Sequence, residues 1–145
     1  MINGIITVRS QSTRLPEKCF LPFGDCNVLE HVIRRAKYFD INPVVCTTIE
    51  APDDRIVEIA KKENVRYFRG SVKDKLERWR DACRDNNIEK FVSIDADDPF
   101  FDGRLSYQSI KLLDESFDLV KHPRQQPNNG YYEGCVGYSI SLEII

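Results

Sequence analysis

Short apolar runs alternate with helical periods along this chain, and that alternation restricts what it can fold into. Residues 4–8 read as a buried strand. Asn27 is followed three residues later by Glu30, the spacing of a helix capping box, and Leu29, Val32, Ile33 and Ala36 then share one helix face. Residues 43–47, rich in β-branched side chains, predict a second strand. Asp53 is placed to cap a second helix that turns Ile56, Ile59 and Ala60 inward. A third strand is expected at 65–68, closed by Arg69-Gly70. Ser71 then reads as the cap of a third helix whose inner stripe is Val72, Leu76, Trp79 and Cys83. A fourth strand follows at 90–94, and a fourth helix starts at Asp102 or Gly103 and runs through Leu113. Further strands are expected at 118–121 and 136–140, separated by a polar loop at 122–134, and residues 141–145 look like the first turn of a helix.

Strands alternating with helices at this spacing predict an α/β fold: a doubly wound, mostly parallel sheet in a three-layer α/β/α sandwich. The 145 residues show no break in composition, so one domain, 1–145, is expected. Ligands of such sheets sit beyond the carboxyl ends of the strands. That rule singles out residues 9–18, 47–53, 69–71 and 95–100.

Charge and hydropathy remove several classes of partner. The formal net charge of −2 supplies no general field for nucleic acid or an anionic membrane. No apolar run approaches the roughly 18 residues that cross a bilayer. No nucleic-acid or membrane partner is therefore expected, and the expected location is cytoplasmic. The five cysteines are scattered and form no C-x-x-C pair, which argues for reduced thiols rather than a zinc or redox site.

Any anion site must come from a local cluster, and residues 9–18 supply one. Arg9, Arg14 and Lys18 stand there with Ser10, Ser12 and Thr13, and Glu17 is the sole acid. Guanidinium forks bind phosphate oxygens in pairs, lysine adds a point charge, and hydroxyls and backbone N–H groups fill the rest. Pro16 stiffens the segment. No Walker loop and no G-x-G-x-x-G occurs in the chain. After the fourth strand, Asp95, Asp97 and Asp98 crowd together. Like charges this close need a compensating cation, and a magnesium ion held by one or two carboxylates plus substrate phosphates is a common one.

Taken together, the run Ile5-Ile-Thr-Val-Arg9-x-x-Ser12-Thr-Arg14-Leu15-Pro16-x-Lys18 resembles the opening signature of the sugar-acid cytidylyltransferases. These enzymes make CMP-activated sialic-type or deoxy-octulosonic acids, and the likeness is strongest to their spore-coat-polysaccharide and flagellin-glycan relatives. It continues through Leu29–Ile33, Asp53–Ala60, Phe68–Ser71 and Asp97-x-Pro99. The resemblance implies a nucleotide-diphospho-sugar transferase (GT-A-like) fold and a reaction of CTP with a sugar acid that yields a CMP-sugar and pyrophosphate. It implies that Arg9, Ser12, Arg14 and Lys18 hold the triphosphate, with Arg14, Lys18 and Asp97 carrying the catalysis. It also puts Arg69, Ser71 and Asp95 beside the nucleotide and has Asp97 bind Mg2+ (or Mn2+). Lys121, Arg124 and Tyr131 are the candidates for the sugar side.

The sequence departs from its relatives at Gln11, where they commonly have glycine, and at Asp95, where they often have Gln or Thr. Relatives are also longer. The chain is therefore expected to lack their C-terminal segment, which carries a second metal carboxylate and much of the contact of a homodimer. Two rival readings follow from the same residues. Asp95-Ala-Asp97 is a D-x-D element, which in a metal-dependent glycosyltransferase of related fold would bind a nucleotide-sugar. A shortened domain could also bind a nucleotide without turning it over.

Overall fold

A computed structural model of the chain describes residues 1–114, 117–121 and 137–145. In chain order the elements are β1 (Ile2–Thr7), a 3₁₀ turn (Lys18–Phe20), a hairpin of β2 (Pro22–Phe23) and β3 (Cys26–Asn27), and α1 (Val28–Tyr38). Next come β4 (Ile41–Thr48), α2 (Asp54–Lys62), β5 (Arg66–Gly70), α3 (Lys75–Asp85) and β6 (Lys90–Asp95). The described chain closes with α4 (Gly103–Asp114), β7 (Leu119–Val120), β8 (Ser139–Ser141) and a 3₁₀ turn (Leu142–Ile144).

The main sheet has the order β5-β4-β1-β6-β8-β7. Strands β5, β4, β1 and β6 are parallel, β8 runs antiparallel to β6, and β7 runs antiparallel to β8. The parallel strands are covered on both faces, so their side chains alternate between two apolar layers. Ile6, Val45 and Ile94 pack with Leu29, Val32 and Ile33 of α1 and Ile56 and Ala60 of α2. Ile5, Val44, Cys46 and Phe91 point the other way, onto Trp79, Ala82 and Cys83 of α3. This is the doubly wound, mostly parallel arrangement that the alternation predicts. No helix among the described residues is long and apolar enough to cross a membrane.

Several local expectations hold. The capping box forms as read: Glu30 N–H donates to Asn27 Oδ1 at 2.9 Å, and Asn27 N–H donates to Glu30 Oε2 at 2.9 Å. The predicted inward residues of α1 and α2 are buried.

Others are corrected. Ser71 does not cap α3. The helix starts at Lys75, and the Asp74 carboxylate accepts from the N–H groups of Leu76 (2.9 Å) and Glu77 (3.0 Å). A charged acceptor close to the orphan donors outcompetes a hydroxyl further back. Within the helix Leu76 is exposed, and Arg78 joins Trp79 and Cys83 on the buried side. Asp53 precedes α2, but its side chain makes no cap bond. The expected final strand narrows to β8, which leads into a 3₁₀ rather than an α turn. The loop expected at 122–134 lies outside the described residues.

Strand β1 is where the winding reverses. From it the chain moves outward through β4 and β5, then returns to β6 on its other side. Loops leaving β1 and β6 therefore diverge, and a crevice opens at their carboxyl ends. On the far side of β6, Gly137 permits a close approach. A Cβ there would lie 1.6 Å from the Ser93 carbonyl oxygen. Ser93 N–H donates to Tyr138 O at 2.7 Å, and Tyr138 N–H donates to Ser93 Oγ at 2.9 Å.

Candidate functional site

The crevice is a cleft of about 460 Å³. Its wall includes Arg9, Ser12, Arg14 and Lys18 from the loop after β1, and Asp95 and Asp97 from the end of β6. Residues far apart in sequence meet because β1 and β6 pair in parallel with Thr7 beside Asp95. Ala96 N–H extends the ladder by donating to Thr7 O at 3.2 Å. Beyond Asp95 the chain does not stay extended. It turns, with Asp98 N–H donating to Asp95 O at 3.0 Å, and the turn keeps Asp97 on the cleft.

The shape of the loop comes from one buried residue. Ser10 is pinned at both of its polar ends. Its N–H (2.8 Å) and hydroxyl (2.6 Å) donate to Asp53 Oδ1. Its carbonyl accepts from Ser12 N–H at 3.1 Å and from Glu17 N–H at 2.8 Å, which closes the loop on itself. Glu17 adopts a left-handed conformation (φ 56°) as the chain turns into the 3₁₀ segment, where Cys19 is buried in the core. Asp53 Oδ2 accepts from the hydroxyls of Thr47 (3.0 Å) and Thr48 (2.5 Å) and from Thr48 N–H (3.3 Å). Burial pushes the Asp53 carboxyl upward, but these hydrogen bonds outweigh it and hold the group below the ordinary aspartate value. Asp53 is therefore a tie between the loop and β4 rather than a helix cap. Polar residues abutting apolar strand ends, Ser10 and Thr47-Thr48, are the sequence signal for it.

The carboxylates are compensated by lysines. Lys18 pairs with Asp97, and Lys75 Nζ lies 3.5 Å from Asp95. Asp98 is different. Its Oδ2 is buried and has no partner among the described residues. Burial, reinforced by Asp95 and Asp97, raises its pKa against a hydrogen bond from Phe100 N–H. Cys19 also lines the cleft, but burial pushes its thiol up to about 11, so it serves as a packing group and not a nucleophile.

Three residues on this wall lie outside the sequence reading: Lys73, Lys75 and Arg78, at the start of α3. Arg69 and Ser71 do not line the cleft. Arg69 binds Thr48 O (2.9 Å), Glu50 O (2.8 Å) and Asp54 Oδ1 (2.6 Å), and so ties β5 to the segment after β4. Ser71 Oγ accepts from Asp74 N–H at 3.2 Å. Lys121 leaves β7 exposed at the same edge of the sheet as the cleft, because β7 runs parallel to β6. Arg124 and Tyr131 lie outside the described residues.

The sequence model described as cytidylyltransferase matches residues 3–134. The chain belongs to the cytidylyltransferase family. It is 37% identical over 124 residues to an uncharacterized protein of Methanocaldococcus jannaschii, a match covering 82% of this chain and 50% of that one. It is 32% identical over 104 residues to the 3-deoxy-manno-octulosonate cytidylyltransferase of Solibacter usitatus, covering 70% and 40%. Its fold superposes on the structure of a cytidylyltransferase from Leptospira borgpetersenii with a TM-score of 0.88 and 33% identity, covering 99% of this chain and 61% of the other. The chain thus spans half or less of the length of these curated relatives.

The Asp53 tie carries a pH signature. A carboxyl held below its unfolded value stabilises the fold fully above that value, near 3.9, and the contribution disappears as pH falls through the lower folded value. Asp53→Asn should cost about 2 kcal/mol or more at pH 7 in urea melts, because the amide presents donors to donors. It should also flatten the loss of stability on acidification. An acid limb of unchanged slope in the variant would contradict the assignment.

Proposed function

We propose that this chain transfers CMP from CTP to a sugar acid, with release of pyrophosphate, in the synthesis of a surface polysaccharide or glycan. One observation carries this reading. Arg9, Ser12, Arg14 and Lys18 converge with Asp95 and Asp97 on one cleft at the carboxyl ends of β1 and β6. The family supports the use of CTP. The name of the Solibacter relative supports a sugar acid as acceptor.

In this reading Arg9, Ser12 and Arg14 receive the triphosphate oxygens. Arg14 and Lys18 neutralise charge on the departing pyrophosphate while the α-phosphorus is held in line with the sugar hydroxyl. Lys18 is steered by its pairing with Asp97, so the cation closest to the carboxylate edge is already in place before the nucleotide arrives. Asp95 presents an acceptor to the nucleoside. Arg69 and Ser71 act through the wall they hold rather than by contact. Lys121, with Arg124 and Tyr131, is assigned to the sugar side.

The cleft suits a hard cation. It offers the oxygens of Asp97 and Asp95, and no group of three or more acidic, His or Cys side chains forms a closed metal cage among the described residues. That donor set matches Mg2+ (or Mn2+), which takes one or two carboxylates and completes its shell with phosphates and water. Asp97 is the proposed ligand. The ion, when bound, would offset phosphate charge and acidify the attacking hydroxyl.

Two substitutions test the assignment. Arg14→Ala should weaken CTP binding by about 2 kcal/mol, roughly thirtyfold, in calorimetric titration. Unchanged affinity would remove the loop from the site. Asp97→Asn should abolish magnesium-dependent pyrophosphate release, and wild-type turnover in that variant would assign the metal to another group.

A further inference from the structure

We propose that Arg78, with Lys73 and Lys75 around the first turn of α3, forms a second anion wall that grips the phosphate chain of the nucleotide from a different element than the basic loop. Arg78 is only 4% exposed, yet it lines the cleft. Its Nη1 donates to Ser71 O, and its Nε is buried with no partner among the described residues. It pairs with no carboxylate among those residues. A buried cation without a counter-charge is costly, and leaving its donors unmatched adds to the cost. An anion delivered by a ligand removes both penalties at once.

The place of these cations in the helix points the same way. The first turn of a helix is the positive end of its dipole, where cations are disfavoured. Lys73 just before α3, Lys75 at its first position and Arg78 in its first turn all stand there. The fold also makes room for Arg78. Gly70 ends β5 without a side chain, and a Cβ there would lie 3.1 Å from Arg78 Cγ.

Charge counting identifies the anion. Six cations and two carboxylates line the cleft. Lys18 and Lys75 are matched by Asp97 and Asp95. Arg9, Arg14, Lys73 and Arg78 have no carboxylate partner among the described residues. A nucleoside triphosphate is a polyanion whose phosphate charges can meet several of these cations at once. The carboxylate of a sugar acid brings a single charge and leaves most of the excess unmatched.

The inference rests on the reading of the cleft as a CTP site, and the experiment separates the two. Wild type, Arg78→Met, Arg78→Lys and the exposed double variant Lys73→Gln/Lys75→Gln would be titrated with CTP, CMP, inorganic tripolyphosphate and 3-deoxy-octulosonate, with melting temperatures taken without ligand. Arg78→Met should melt at or above the wild-type temperature, since it removes an unmatched buried cation. It should bind CTP and tripolyphosphate roughly tenfold more weakly or worse, with CMP affected much less. Arg78→Lys should recover part of the loss. The double variant should weaken the same two ligands, and it keeps the test decisive if Arg78→Met fails to fold.

Wild-type affinity for CTP and tripolyphosphate in the α3 variants, with a lowered melting temperature for Arg78→Met, would make Arg78 a packing residue and overturn the proposal. A loss confined to 3-deoxy-octulosonate binding would overturn it in favour of the acceptor carboxylate. A wild-type protein that binds neither CTP nor tripolyphosphate would instead sink the CTP reading itself.

Discussion

The buried carboxylate of Asp53 holds the cleft together. It joins the end of β1, through Ser10, to the end of β4, through Thr47 and Thr48. A buried charge is tolerable when its oxygens are saturated, and here two hydroxyl-bearing strand ends and their peptide groups saturate it. The loop that follows then has little freedom. Its Ser10 is fixed by Asp53, its return is fixed by the Glu17 N–H bond to Ser10, and Cys19 locks the exit into the core. Arg9, Ser12, Arg14 and Lys18 are flexible or short side chains on a closed frame, so their convergence follows from the backbone.

The second constraint is electrostatic. Parallel pairing of β1 with β6 forces an acidic strand end against a basic loop. The lysines answer the acids one for one, Lys18 to Asp97 and Lys75 to Asp95. The cleft arginines have no carboxylate partner among the described residues. Such a cleft is suited to an oxyanion. Asp98 sits just behind this edge, and burial, reinforced by Asp95 and Asp97, raises its pKa.

The parallel core was legible because its strands and helices are long enough to show their periods. Residues 43–47 and 90–94 lie inside β4 and β6, and Leu29, Val32, Ile33 and Ala36 face the core as their spacing requires. The hairpin β2–β3 left no signal, since two-residue strands have no period. The antiparallel direction of β8 was equally hidden, because side-chain alternation is the same for either direction. At the site, residue chemistry gave the basic loop and the acidic turn. It misassigned Asp53 and Ser71, for a cap is chosen by competition among nearby acceptors that a sequence does not rank. Arg78 was invisible for another reason: a charged residue beside Trp79 reads as solvated, yet here it is buried against the cleft.

Crystals of the protein soaked with CTP and magnesium address the central claim most directly. The account predicts triphosphate density in the cleft, within hydrogen-bonding distance of Arg14 and Lys18 and alongside the Asp95–Asp97 turn. Nucleotide bound elsewhere, for example in the smaller cavity lined by Lys37, Asn42 and Arg66 at the opposite edge of the sheet, would contradict it.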